Sequence, residues 1–231
     1  MPLLTLTEER RLAFEALARD LQAIFGSRFV ALTAYGLSSS AAFVESIAVA
    51  DLASAARLAD RWRRAGLDVP LVITPGEFRR SLDAFPVEYG AILRRHVVIA
   101  GVPPFEGAEV RPADLRRALE VLAKGHVLHM RAGAIATGGR ATEGRDLIAF
   151  SIDPFRALLA NAARLHGDEA GTDEAIAAFA ARELGLPAET ISGLLLLDDT
   201  SDFDPSAVMP VYLEAAERLW QALDAWKARE R

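Results

Sequence analysis

Cysteine is absent from the 231 residues. That excludes disulfide scaffolds, cysteine-ligated zinc and cysteine nucleophiles. Long apolar runs are missing as well: none approaches the roughly 18 residues a membrane helix needs, so no membrane partner is expected. An excess of basic charge is also lacking. The formal charge is −6, which argues against nucleic acid as a partner, because gripping a phosphate backbone takes clustered Lys and Arg. The opening MPLLTLTEERRLAFEALARD has no charged segment leading into an apolar core, so it does not read as a secretory signal. These absences lead to the expectation of a cytoplasmic protein.

Apolar material is plentiful. Hydrophobic residues make up 52% of the chain and charged residues 25%, an ordinary balance for a chain that buries a core. A first helix is predicted from about Leu6 to Phe25. Thr5 and Glu8 have capping-box spacing, Leu12, Leu17, Leu21 and Ile24 fall on one face, and Gly26 stops it. RFVALTAY and AFVESIAVA read as two strands in succession. DLASAARLADRWRRAG reads as a helix capped by Asp51 and ended at Gly66, and VPLVIT and HVVIAG as further strands. The expected fold class is α+β, with a mixed β-sheet because two neighbouring strands are joined by a short loop.

The Pro- and Gly-rich AGVPPFEGAEVRP changes the character of the chain. A domain boundary is placed there, giving an α/β domain over 1–105 and a helical bundle of four or five helices over 106–231. ADLRRALEVLAKGHVLHMRAGAI is one long helix interrupted at Gly125. Asp153-Pro154 reads as an N-cap with Pro in the first helical position, and Thr172 opens a helix that Gly185 closes. PAETISGLLLL forms a shorter helix, and the last runs from about Ser206 to Lys227 with Tyr212, Ala216, Leu219, Leu223 and Trp226 on one face.

A helix, a strand ending in Tyr35-Gly36, a loop of small residues and a second strand together resemble the minimal nucleotidyltransferase fold of DNA polymerase β-like transferases. PLVITPGEFRRSLDAFPVEYGAILRRHVVIAG strengthens the likeness: Pro70, Thr74, Ser81, Asp83, Phe85, Pro86 and Glu88 fall where bacterial nucleotidyltransferase-domain proteins carry a similar pattern. The helical second half is similar to the all-α partner domain of such proteins. The resemblance implies a Gly-Ser turn that holds nucleotide phosphates and an Asp-x-Asp pair on the next strand that holds Mg²⁺. It also implies a third carboxylate that activates the attacking hydroxyl.

The residues depart from that pattern. Leu37 follows Gly36 where the Ser should stand, Ser38, Ser39 and Ser40 come after it, and the paired acids fall on Ser46 and Ala48. Glu45 is left as a lone carboxylate, Asp51 lies beyond the expected end of the strand, and Asp68 precedes VPLVIT. No catalytic residue and no metal ligand is therefore assigned. Gly36, Ser38, Ser39, Ser40 and Glu45 are the candidate nucleotide-binding residues. The reading is a degenerate nucleotidyltransferase-like protein, non-catalytic and without a cofactor, binding a nucleotide or a protein partner. Two alternatives stand beside it: an active Mg²⁺-dependent transferase using Glu45, Asp51 or Asp68, and an antitoxin-like interaction module that forms a homodimer.

Other groups read as structural. His126 and His129 share a helix face beside Gly125, His166 sits at a helix end, and Asp198, Asp199, Asp202 and Asp204 form an acidic loop with Asp204 poised to cap a helix. Phe85 is expected to anchor its segment in the core, with Asp83 capping a turn.

Overall fold

The computed structural model describes residues 4–168 and 170–227. The described residues divide into two compact units, one ending at Arg111 and the other beginning at Pro112.

In the first unit, α1 (Glu8–Phe25) buries Phe14, Leu17, Ala18, Leu21 and Phe25. Its N-cap is Thr7, whose hydroxyl accepts from the Arg10 amide at 3.3 Å, so the helix starts later than the Thr5 spacing predicts. Leu12 turns outward and is 52% exposed. A 3-10 turn at Gly26–Arg28 leads into β1 (Phe29–Ala34), then β2 (Ser40–Val44), α2 (Val49–Ala56), α3 (Ala59–Arg64), β3 (Leu71–Ile73), α4 (Pro75–Arg80), α5 (Pro86–Arg94) and β4 (Val97–Gly101).

The four strands form one mixed sheet in the order β3-β2-β1-β4. β1 runs antiparallel to β2 and β4, whereas β2 and β3 are parallel. The register of β1 shifts twice: between Phe29 and Ala31 against β2, and between Leu32 and Thr33 against β4. Both faces of the sheet are covered, so every residue of β2 is buried. Leu32, Ala34, Ala42 and Val44 pack with Phe14, Leu17, Leu21 and Trp62 on one side. Ala31, Ala41, Phe43 and Ile73 pack with Phe78, Tyr89 and Ile92 on the other. The Phe43 ring meets Phe78 and Phe105 edge-on, each at 5.4 Å between centroids.

Two expectations for this half are corrected. β2 ends at Val44, and residues 45–48 are exposed; the apolar Ile47 and Ala48 extend the strand-like pattern past the point where pairing ends. The helix predicted across 51–66 is two helices, broken at Arg57–Leu58, and Asp51 caps α2 from inside its first turn, accepting from the amide of the N-cap residue Ala48, instead of standing at the N-cap itself.

The second unit contains α6 (Pro112–Ala136), α7 (Ala141–Leu165), α8 (Asp173–Leu184), α9 (Ala188–Leu195) and α10 (Pro205–Ala225). α6, α7 and α10 pack on one another. Gly125 does not interrupt α6, and Pro154 lies inside α7 instead of opening a helix. The segment before Pro154 is itself amphipathic, burying Gly144, Ile148, Ser151 and Ile152. That packing outweighs the single intrahelical bond a proline removes. Asp153 pairs with Arg156 in place of capping. Thr172 caps α8, Gly185 (φ 64°) closes it, and Asp204 caps α10 by accepting from the Ser206 amide at 2.9 Å. Among the described residues no helix is long and apolar enough to cross a membrane.

Candidate functional site

The loop from β1 to β2 is tight: the Tyr35 amide donates to the Ser39 carbonyl at 3.1 Å. Because β2 and β3 are parallel, the chain entering β3 runs beside the chain entering β2. Asp68 therefore reaches the loop. Its amide donates to the Ser38 carbonyl at 3.0 Å, and its Oδ2 accepts from Ser38 Oγ at 2.7 Å and Ser39 Oγ at 2.9 Å. The hydroxyls hold the Asp68 carboxyl below its ordinary pKa. Burial, then the charge of Asp68, raises the phenol of Tyr35. The arrangement is an exposed carboxylate that takes up both nearby hydroxyls, and a phosphate arriving there would meet a like charge.

The other candidates lie apart from this cluster or face away from solvent. The Gly36 backbone is outside the left-handed region, and a Cβ there would touch Ser39 Cβ at an ordinary 3.4 Å, so the turn does not depend on glycine. Ser40 opens β2 at 1% exposure, its hydroxyl without a protein partner. Glu45 is exposed just beyond β2, its amide donating to the Arg28 carbonyl at 2.8 Å.

Asp51 is engaged elsewhere. Arg28 donates to its two oxygens at 2.7 and 2.8 Å, and the Ala48 amide adds a third bond at 2.8 Å. The Arg28 hydrogen bonds and then the Ala48 amide lower its pKa from 3.8 to about 2. A carboxyl whose folded pKa is depressed contributes stability that is complete above its unfolded value and disappears as pH falls through the folded one. The Tm difference between wild type and Asp51→Asn is therefore expected to be constant above about pH 4 and to close as pH falls toward 2. A difference that persists unchanged at pH 2 would remove the charge pair as its cause.

Residues 70–88 serve the fold. Thr74 and Glu77 make a reciprocal cap on α4, Thr74 Oγ1 accepting from the Glu77 amide and Glu77 accepting from the Thr74 amide at 2.9 Å. Asp83 and Glu88 are exposed. Phe85 is 51% exposed and leans on Tyr89 at 5.7 Å, so the buried Pro86, not Phe85, anchors this corner.

In the second unit, His126 and His129 do not share a ligand. His126 Nε2 lies 2.8 Å from the Tyr212 hydroxyl, and His129 Nδ1 lies 2.8 Å from the Gly125 carbonyl. His166 faces Glu183 at 3.3 Å. Asp198 accepts from Thr200 and Ser201, while Asp202 pairs with Arg145. Among the described residues no group of three His, Asp or Glu side chains is placed to hold a metal. A cleft of about 460 Å³ lies beside Phe150, Asp153, Arg156, Asp173 and Leu196, with Arg156 bonded to both Asp153 and Asp173. The sequence carries no signal for the Arg28–Asp51 or Tyr212–His126 pairs, whose members are far apart in the chain.

No family model, curated protein or solved structure matches the chain.

Proposed function

We propose that this chain is a nucleotidyltransferase-like protein that does not carry out metal-dependent nucleotidyl transfer and does not hold a nucleotide phosphate at its β1–β2 loop. One observation carries the reading: Asp68 accepts from both Ser38 and Ser39. The hydroxyls that would greet a nucleotide phosphate are bonded to an anion. The other candidate acids do not compensate, since Asp51 is neutralised by Arg28 and Glu45 is exposed beyond the end of β2. Mg²⁺ held between phosphates takes much of its affinity from convergent carboxylates, and transfer needs that convergence.

The test is a thermal-shift panel of nucleoside triphosphates with and without Mg²⁺, run on wild type and Asp68→Asn. A triphosphate present at 100 times its Kd stabilises a fold by about 2.7 kcal/mol, a Tm rise of at least about 5 °C. Wild type is expected to shift by less than about 1 °C on that scale. A Mg²⁺-dependent rise in wild type would overturn the proposal. A rise confined to Asp68→Asn would instead support it, by showing that the carboxylate is what keeps a phosphate from Ser38 and Ser39.

A further inference from the structure

α6 carries two apolar faces. Leu115, Leu119, Ala123, Val127 and Met130 enter the core of the second unit. On the opposite side Val121, Leu128 and Ile135 are 68%, 52% and 82% exposed, and they recur every seven residues. Three positions before each stands a small residue, Ala118, Gly125 or Ala132. Small and large residues thus occupy the two seam positions of a heptad, the spacing by which one helix packs against another. The outward face has the pattern of a buried seam.

We infer that this face pairs with a second copy of the chain, the two α6 helices running antiparallel. The choice of occupant follows from volumes. In an antiparallel pair each small position meets a large one: Ala118 against the second copy's Ile135, Val121 against Ala132, and Gly125 against Leu128. The same three layers repeat by symmetry, six in all, over roughly 27 Å of helix at about 1.5 Å per residue. A parallel pair would set small against small and large against large, leaving voids beside crowded layers, which well-packed interfaces avoid. No other sequence need be supplied, because the face complements itself.

Two further observations agree. Gly125 lies mid-helix, where glycine is unfavourable, and a Cβ there would meet nothing within 4 Å in the single chain. The single chain gives no reason for the missing side chain, whereas close approach of a second helix does. Of the three cations bordering the seam, Lys124 sits over the Trp220 ring at 3.4 Å and Arg131 pairs with Glu217, both on α10, while Arg117 pairs with Asp114 of its own helix at 3.3 Å. The inference is independent of the reading of the β1–β2 loop.

The full chain is tested by size-exclusion chromatography with light scattering. Wild type is expected to run at about twice its 24.9 kDa chain mass at micromolar concentration. Leu128→Glu and Gly125→Arg should each raise the dimer dissociation constant at least about 100-fold, since either buries an unpaired charge in a seam layer. Both positions are open to solvent in the single chain, so far-UV circular dichroism should be unchanged. Because the protein has no cysteine of its own, register can be read directly. An equimolar mixture of Val121→Cys and Ala132→Cys chains should form a disulfide-linked pair faster than Val121→Cys chains alone. A wild type that stays monomeric to about 100 μM, or a dimer indifferent to both charged variants, would overturn the inference. Faster linking of Val121→Cys chains to themselves would overturn the antiparallel arrangement.

Discussion

Gly101→Ala is expected to cost roughly 2–5 kcal/mol, a large part of a domain's stability. Gly101 ends β4 opposite Ala31 of β1, with φ at +73°. A Cβ at this position would fall on the Val30 carbonyl oxygen and lie 2.9 Å from Ala31 Cα. Both obstacles are backbone atoms of the central strand, so no flexible side chain can move aside. The left-handed backbone adds about 1–2 kcal/mol for any residue with a Cβ. Gly185→Ala separates the two contributions. Gly185 is also left-handed (φ 64°), but its added Cβ would touch only the guanidinium of Arg218, at an ordinary 3.4 Å. It should lose about 1–2 kcal/mol. Urea unfolding followed by circular dichroism reads both, and Gly101→Ala should lower the midpoint by at least about 1 M more. Equal losses in the two variants would show that backbone angle alone sets the requirement.

Tyr212→Phe is expected to destabilise the second unit by about 1–3 kcal/mol without altering its packing volume. Tyr212 is fully buried, its ring tilted against Phe155 at 5.1 Å between centroids. Its hydroxyl donates to the Ser151 carbonyl at 2.9 Å and lies 2.8 Å from His126 Nε2. A hydroxyl has one proton to give, and with that proton on Ser151 it can only accept from His126. The neutral imidazole therefore carries its proton on Nε2. Burial, and to a lesser degree the neighbouring His129, lowers the pKa of His126 and keeps it neutral. Phenylalanine in place of Tyr212 takes the partner from the half-buried Nε2–H and removes a bond from Ser151. His126→Phe in the same background should recover part of the loss, since it removes the orphaned donor. Urea midpoints of the two single variants and the double variant form the cycle. Strict additivity would rule out coupling between the two side chains.

Much of the architecture was legible in the sequence because strand residues advertise themselves. β1, β3 and β4 lie within RFVALTAY, VPLVIT and HVVIAG, and the short β1–β2 loop foretold a sheet of mixed direction. The misplaced boundaries share a cause. Ile47 is β-branched and Ala48 apolar, but both are exposed, and periodicity cannot tell a strand from an apolar stretch without a pairing partner. Pro154 reads as a helix start from local chemistry, yet the buried face before it holds α7 together. The candidate site was less legible. Gly36, Ser38 and Ser39 lie in the β1–β2 loop, Ser40 opens β2 and Glu45 falls just past its end, but what Ser38 and Ser39 do depends on Asp68, thirty or so residues away. Its approach follows from the parallel pairing of β2 and β3, a long-range fact that no local spacing encodes.

The two register shifts in β1 give the sheet a lock. Side chains alternate between its two cores, so a slip of one residue would carry Leu32 to the face of Phe43 and Ala31 to the face of Phe14. An even ladder resists that slip only through the misplaced side chains. Here the irregularity facing β2 leaves Val30 of β1 without a partner residue, and the one facing β4 leaves Ile99 of β4 without one. Any slide of β1 would have to dissolve both at once and rebuild both elsewhere. β1 is thus keyed from its left and its right at separate notches, and its alignment is set by backbone shape as well as by which residues prefer which core.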